Sequence, residues 1–419
     1  MTARRNALYA QSGGVTAVIN ASACGVIEAA REAGGRIGRT YAARNGIVGV
    51  LHEDLVDTGA ESAMAIAALR HTPAGAFGSC RHKLGGTAAD AQYARLLEVF
   101  RAHDIGYFFY NGGGDSADTC LKVAALAASA GHPLQAIHVP KTVDNDLPHT
   151  DCCPGYGSVA KYVAVAALEA SLDLRSMCAT STKVFVLEVM GRHAGWIAAA
   201  GGLIEDHGLP VVLLFPEVPF DPPTFVARVE AEVARHGHCT VVVSEGCRDA
   251  AGRFLAEQGG RDAFGHAQLG GAAPVLARLL QQSAGLKVHW AVADYLQRAA
   301  RHLASRTDVR QAYEVGRRAV RLALAGRSEV MVTIERRSDR PYRYRLGAVD
   351  LSAVANVERP MPREFIRDDG YGITEACRRY LRPLLRGEDA PPYGNDGLPA
   401  YATLRLKPVP KRLPAFELP

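Results

Sequence analysis

Short apolar runs alternate with longer stretches of helical periodicity along most of the chain, and most of the runs end in a polar or glycine-rich segment. The pattern predicts strands over residues 7–10, 107–110, 136–139, 183–189, 211–215, 240–244 and 288–293. Helices are predicted between them, the longest from about Ser158 to Arg175. This alternation is typical of βαβ units, so we expect parallel sheets with helices on both faces.

The pattern changes after about residue 330. Residues 330–336 and 342–349 alternate as the two strands of a hairpin would. The tail from Arg382 is rich in proline and charge, which predicts an irregular arm packed on the surface or on a neighbouring subunit.

Composition narrows the function classes. The net charge of +5 is mild and there is no dense Lys/Arg tract, so nucleic acid is not an expected partner. No apolar run approaches the ~18 residues of a membrane span, and no signal-peptide core follows the N-terminus. Nine cysteines without a C-x-x-C pair are expected to be reduced thiols. A cytoplasmic location is therefore predicted.

Ligands of parallel sheets bind at the carboxyl ends of the strands, where three loops carry candidate chemistry. The first loop, residues 11–17, contains Ser12-Gly13-Gly14 between a strand and a helix. Its backbone N–H groups and the helix N-terminus would suit a phosphate. A plain tight turn explains the same residues equally well.

The second loop, residues 111–117, formally fits the G-x-G-x-x-A pattern of a dinucleotide site. Asp115 argues against that interpretation because its charge would meet an approaching pyrophosphate bridge. The next strand also ends in Pro140-Lys141 and lacks an acid for a ribose hydroxyl.

The third loop, residues 141–146, brings two carboxylates, a lysine and a hydroxyl to one strand end. A sugar hydroxyl needs a base to take its proton as it attacks, and an aspartate beside a lysine stays ionised. An Asp-rich turn with a salt bridge is the structural alternative.

The whole set of motifs resembles the phosphofructokinase A family, and within it the pyrophosphate-dependent branch. The resemblance covers residues 7–325 in the family's order. The matching segments are Ser12-Gly13-Gly14, Gly78-Ser79-Cys80-Arg81, Gly112-Gly113-Gly114-Asp115-Ser116, 140–146, Met190-Gly191-Arg192-His193-Ala194-Gly195, Ser244-Glu245-Gly246 and Tyr295-Leu296-Gln297-Arg298.

The resemblance implies a role for each matched residue. The diphosphate-donor site would consist of Gly14, Arg81, Asp115 and Lys141. The catalytic group would consist of Asp144, Lys141, Asp115 and Arg192, with Asp144 as the base. The fructose 6-phosphate contacts would be Thr142, Asp144, Met190, Gly191, Arg192, Glu245, Tyr295 and Arg298. Outside this ordered set each has a structural alternative, such as a surface arginine for Arg81 or a helix cap for Glu245.

Two positions favour pyrophosphate over ATP. ATP-dependent relatives resemble this chain but carry glycine where Asp115 and Lys141 stand. Asp115 would fill the space of the α-phosphate and repel it, and Lys141 would add charge for a compact donor.

Three positions depart from the family. Gly114 stands where ATP-dependent members have an acid linked to Mg²⁺, so the metal contact would lie at the Gly114 position or at Asp146. Lys183 and His289 replace arginines that reach the 6-phosphate from a neighbouring subunit, which leaves related sugars such as sedoheptulose 7-phosphate open. Residues 264–271 faintly echo the Tyr295 motif and are interpreted as a family-typical loop.

The predicted fold is α/β, with two doubly wound, Rossmann-like lobes of mainly parallel sheet facing a cleft, and a C-terminal arm. Residues 1–150 with 291–345 would form the donor lobe, 151–290 the sugar-phosphate lobe and 346–419 the extension.

The resemblance implies a reversible glycolytic phosphotransferase that uses pyrophosphate, fructose 6-phosphate and Mg²⁺ and forms a homodimer or homotetramer. The alternatives are an ATP-dependent phosphofructokinase, a non-catalytic sugar-phosphate-binding subunit and a dinucleotide-dependent oxidoreductase.

Overall fold

The computed structural model describes residues 4–84, 91–255, 257–261, 267–269 and 271–417, with the backbone alone for 257–261 and 267–269. The interpretation of residues 264–271 as a family-typical loop thus lies largely outside the described residues.

The described ranges contain strands and helices in alternation. The strands are β1 (Arg5–Gln11), β2 (Ile37–Ala43), β3 (Leu55–Asp57), β4 (Ile105–Gly112), β5 (Gln135–Pro140), β6 (Val184–Val189), β7 (Val211–Leu214), β8 (Cys239–Ser244), β9 (Glu257–Arg261), β10 (Ala267–Leu269), β11 (Val288–Val292), β12 (Val330–Asp339) and β13 (Tyr342–Asp350). The helices are α1 (Ile19–Arg31), α2 (Gly46–Leu51), α3 (Ala63–Ala68), α4 (Ala91–Ala102), α5 (Gly114–Ser129), α6 (Tyr156–Met177), α7 (Trp196–Ala200), α8 (Pro222–His236), α9 (Ala272–Ala284), α10 (Asp294–Ala299), α11 (Arg306–Leu324) and α12 (Glu375–Leu381).

The first sheet has the strand order β13-β12-β5-β4-β1-β2-β3. Its five inner strands are parallel, while β13 and β3 close the two edges in antiparallel fashion. Successive residues point to opposite faces of a strand, and both faces are covered here. Tyr9 and Phe109 pack on one face, and Leu8 and Phe108 on the other. Continuous apolar strands follow from this double burial.

The second sheet is parallel throughout and has the order β11-β6-β8-β7. Helices α6 and α7 cover one face, and α8 and α9 the other. The edge strand β11 exposes His289, Trp290 and Val292.

The predicted fold class is confirmed, since the chain forms two α/β lobes with mainly parallel sheets. Each predicted strand is present, with its ends within a few residues of those expected, and the 330–349 hairpin is the edge of the first sheet. The strands β2, β3, β9 and β10 were not predicted. The first sheet takes strands from residues 5–140 and 330–350 and the second from 184–292.

The C-terminal arm, here taken as the described residues that follow β13 (351–417), packs on both lobes of its own chain. In the second lobe, Arg378 and Arg382 form ion pairs with Asp206, at 3.1 and 2.9 Å. In the first lobe, the amide of Asp57 donates to Lys407 at 2.9 Å. The arm therefore joins the two lobes. None of the described helices combines the length and the apolar character needed to cross a bilayer.

Candidate active site

The loops that follow β1, β4 and β5 meet at one edge of the first sheet. The amide of Lys141, after β5, donates to the carbonyl oxygen of Gly112 at the end of β4, at 3.0 Å. The amide of Gly13, after β1, donates to Cys80 at 2.9 Å, which brings the 78–81 segment alongside. Parallel neighbours end at the same edge, so segments far apart in sequence converge here.

The two glycines of the first loop have different roles, one in the backbone conformation and one in the approach of neighbouring side chains. Gly13 has φ of +77°, in the left-handed region that other residues rarely adopt. At Gly14, a Cβ atom would lie 2.4 Å from Nη1 of Arg298 and 3.9 Å from Nη2 of Arg81. The missing side chain therefore leaves the backbone of the loop open to two guanidinium groups.

Lys141 lies beneath this loop with only 2% of its surface exposed. Its ammonium donates hydrogen bonds of 2.7 Å to the carbonyl oxygens of Ser12 and Gly14. Burial and the charges of Arg298 and Arg81 lower the pKa of Lys141 to about 7, against the opposite pull of nearby carboxylates. The ammonium thus fixes the shape of the loop as well as contributing charge to it.

Arg298 completes a group of three cations around Gly14, with Arg81 and Lys141. Its guanidinium stacks on the ring of Tyr295, 3.9 Å from the centroid, and burial followed by the charge of Arg81 lowers its pKa. The structure thus places Arg298 against the predicted donor loop, while its predicted contact with the sugar 6-phosphate stays a prediction. Like charges held this close favour a polyanionic ligand.

Asp144 and Asp146 follow Lys141 on the same strand end. The amide of Asp144 donates to Oγ1 of Thr142 at 3.1 Å, which turns the chain. Burial raises the pKa of Asp144 and the charge of Glu245 raises it further, while Lys141 opposes both. Burial and the charge of Asp144 also raise the pKa of Asp146. A raised pKa brings a carboxylate nearer to the basicity of a useful general base.

Asp115 lies in the first turn of α5, directly after the second loop. Its side chain is 44% exposed, and its carboxylate pairs with Lys83 at 3.6 Å. The hydrogen bond between Gly112 and Lys141 joins the loop that follows β4 to the loop that follows β5. The carboxylate of Asp115 nevertheless pairs with Lys83, which lies in neither of these loops. Part of its negative charge is therefore neutralised within the chain.

Four of the predicted sugar contacts follow the carboxyl ends of β6 and β8, namely Met190, Gly191, Arg192 and Glu245. A hydrogen bond from Ser244 Oγ to the carbonyl of Gly191 joins these ends. Burial raises the pKa of Glu245, and the guanidinium of Arg192 opposes that rise. Met190 and Glu245 line a cavity of about 440 Å³ together with Glu188, Val189, Gly271, Pro274, Trp290, Val292, Asp294 and Gln297.

Lys183 and His289 are not among the residues that line this cavity. Lys183 immediately precedes β6, where its ammonium donates to the carbonyls of Cys178 and Ala179. His289 is exposed on the edge strand β11. Their predicted reach into a neighbouring subunit stays a prediction.

A comparison of the sequence with family models gives one decisive match. The model described as phosphofructokinase covers residues 6–326. This chain belongs to the phosphofructokinase family.

Individual relatives within the phosphofructokinase family extend the likeness to the whole chain. The "Pyrophosphate--fructose 6-phosphate 1-phosphotransferase" of Methylococcus capsulatus is 69% identical over 416 residues, covering 99% of both chains. The protein of that name from Halomonas elongata is 64% identical, covering 99% of this chain and 100% of its own. The crystal structure of the pyrophosphate-dependent phosphofructokinase from Nitrosospira multiformis superposes with a TM-score of 0.92 at 62% identity, covering 99% and 100% of the two chains.

Three residues at this phosphofructokinase site were not singled out from the sequence. Gln297 is buried, and its Oε1 accepts from the amide of Met190 at 3.2 Å; its position inside the Tyr295 motif was the available signal. Glu358 pairs with His193 at 2.8 Å, and Arg359 binds the 145–151 segment. These last two lie beyond the residues that the family model matches, where no motif marked them.

Proposed function

We propose that this chain transfers a phosphoryl group from pyrophosphate to the 1-hydroxyl of fructose 6-phosphate, giving fructose 1,6-bisphosphate and orthophosphate. The observation that carries the proposal is the convergence of Arg81, Lys141 and Arg298 around Gly14, beside the carboxylate of Asp144. A cationic loop next to a basic carboxylate suits transfer of a charged group to a hydroxyl. The names of the high-identity relatives support the same reaction.

Asp144 acts as the general base in this proposal. It takes the proton of the 1-hydroxyl while the sugar oxygen attacks one phosphorus of pyrophosphate. The bridging P–O bond breaks as the P–O bond to the sugar forms, and orthophosphate leaves. The reaction is proposed to run in both directions. Arg81 and Arg192 stabilise the charge on the moving group. The approaching polyanion raises the pKa of Lys141 again and keeps its ammonium charged.

Mg²⁺ is the proposed metal, and the residues present fit it. The described part of the chain contains no cluster of three or more His, Cys, Asp or Glu side chains that could coordinate the ion by themselves. A single carboxylate oxygen is available instead, because Oδ1 of Asp146 is buried and accepts no hydrogen bond from the described residues. Gly114 has no side chain to offer. Asp146 would therefore hold the ion together with donor oxygens and water, and the ion would neutralise phosphate charge.

Pyrophosphate is proposed over ATP because of Asp115. Unit charges 4 Å apart interact by about 1 kcal/mol in water and about 4 kcal/mol at an effective dielectric of 20. Because Asp115 is half exposed and paired with Lys83, the lower value applies to its charge. The bulk of the side chain adds to the discrimination.

The sugar is proposed to bind between Arg192, Glu245, Met190 and the Tyr295 motif.

The protein is proposed to act as a homodimer or homotetramer in the cytoplasm. The exposed edge strand β11 and the exposed rings of Trp290 and Tyr295 support an assembly through this face. The proposed division assigns residues 1–150 with 291–345 to the donor lobe, 151–290 to the sugar lobe and 346–419 to the extension.

The test is a coupled assay of purified protein with fructose 6-phosphate, Mg²⁺ and pyrophosphate, with fructose 1,6-bisphosphate and orthophosphate measured together. Equal amounts of both products are expected. Asp144→Ala should lower turnover at least ~100-fold. Sugar binding without either product would indicate a binding subunit instead.

A further inference from the structure

The segment that carries the proposed base is bound by a residue beyond 326, where the match to the family model ends. Residues 144–151 have irregular structure between β5 and α6, and Asn145 adopts a left-handed conformation with φ of +56°. Such a segment has no sheet ladder or helix to satisfy its carbonyl oxygens, so other donors must do so. Its shape therefore depends on the groups that bind those carbonyls.

Arg359 supplies these donors from the C-terminal arm. Its Nη2 and Nε donate to the carbonyl of Asn145, at 2.7 and 3.2 Å. Its Nη1 donates to the carbonyls of Thr150 and Asp151, at 2.5 and 3.0 Å. Its main-chain amide donates to Asp146 at 2.6 Å. The planar fork of a guanidinium can reach several fixed carbonyls at once, which a lysine cannot.

The same side chain also contacts the loop of the second lobe. Its guanidinium carbon lies 4.8 Å from the ring centroid of Trp196, whose Nε1 donates to the carbonyl of Arg359 at 3.3 Å. Trp196 opens α7, immediately after the residues 190–195 that include Arg192. Glu358 binds His193 in that stretch. One dipeptide of the arm thus links the base-bearing segment to the arginine-bearing loop.

We propose that Arg359 is a positioning residue that fixes the carboxylate of Asp144 relative to Arg192, between the two lobes. The proposal rests on the proposed function of Asp144 as the base. Arg359 donates to the carbonyl oxygen of Asn145, the residue that follows Asp144. A shift of that carbonyl is therefore transmitted along the main chain to Asp144. A displacement of about 1 Å in such a constellation can cost roughly 100-fold in rate.

The role predicts a kinetic signature that simple destabilisation does not give. A merely structural residue would change the folded fraction, leaving kcat and the KM values of the folded enzyme unaltered. Loss of Arg359 should instead lower kcat, with KM for pyrophosphate within about threefold.

The experiment compares Arg359→Ala and Arg359→Lys with Arg405→Ala, an exposed arginine of the same arm, in the full-length protein. Turnover per folded molecule and KM for pyrophosphate are measured with and without added guanidinium chloride at millimolar concentration. We expect a 10- to 100-fold loss of kcat in Arg359→Ala, partial rescue by guanidinium and a smaller loss in Arg359→Lys. Arg405→Ala should match the wild type and ignore guanidinium.

A wild-type kcat in folded Arg359→Ala would overturn the positioning role while leaving the proposed function intact. If Arg359→Ala does not fold, Arg359→Lys decides by the same readouts. Wild-type protein that transfers no phosphoryl group from pyrophosphate or ATP would instead overturn the proposed function, and this inference with it.

Discussion

The buried ammonium of Lys141 donates a 2.7 Å hydrogen bond to the carbonyl oxygen of Gly14, which lies 127 residues earlier in the chain. Lys141 also binds Ser12, so it fixes the loop that the guanidinium groups of Arg81 and Arg298 approach. The proposed donor site is therefore built around a lysine that donates hydrogen bonds to two main-chain carbonyls of the loop itself. Its contribution to donor binding combines charge with the shape of the loop.

The first prediction concerns that lysine. Lys141→Met keeps most of the side-chain volume but removes both hydrogen bonds and the charge. We expect kcat/KM for pyrophosphate to fall about 100-fold, because the loop carbonyls lose their donor and the phosphates lose a cation. Steady-state kinetics over a pyrophosphate range measure this, alongside KM for fructose 6-phosphate as the internal control. A variant that loses less than threefold would remove Lys141 from the donor site.

The second prediction concerns the close approach at Gly14. In Gly14→Ala the new methyl group must displace the guanidinium of Arg298, the flexible end of a side chain. We expect KM for pyrophosphate to rise about tenfold with little change in melting temperature. Arg298→Ala provides the matched background, because the methyl group there no longer overlaps the guanidinium of Arg298. If the rise in KM for the double variant equals the product of the rises for Gly14→Ala and Arg298→Ala, the two positions act independently. Arg298 would then not be the group that Gly14 accommodates.

The strands and loops of the site were predictable from the sequence because β1, β4 and β5 are apolar runs that stop at glycine-rich segments. β2 was missed because its run IGRTYAA carries Arg39 and Gly38 on the exposed part of the strand. Arg359 was beyond prediction for a different reason. Its partners are main-chain carbonyls. Every residue has such a carbonyl, so the sequence does not show which residues bind Arg359. The burial of Lys141 was equally hidden, since sequence gives its charge but not its neighbours.

The third prediction concerns the pH dependence of the base. The charge of Glu358 raises the pKa values of both Asp144 and Asp146. Glu358→Gln removes that negative charge, which favours the ionised form of Asp144 and lowers its pKa. The acid limb of kcat/KM should therefore move to lower pH, by about half a unit. Profiles from pH 5 to 8 measure the shift, with the exposed Glu364→Gln as the control. A shift to higher pH would contradict the electrostatic account.

The fourth prediction concerns donor choice at Asp115. Asp115→Asn removes the charge and keeps the volume, whereas Asp115→Gly removes both. We expect the preference for pyrophosphate over ATP to fall by a few-fold in the first variant and by about tenfold or more in the second. The asparagine effect is small because Lys83 already neutralises part of the charge. Equal preferences in wild type and Asp115→Gly would show that selectivity lies elsewhere.

The most direct measurement is the ratio of kcat/KM for pyrophosphate to kcat/KM for ATP, taken on the purified wild-type protein at saturating fructose 6-phosphate and Mg²⁺. The account predicts a ratio of at least ~100, because a small polyanion suits the cationic loop and Asp115 obstructs the α-phosphate. A ratio of one or less would contradict it.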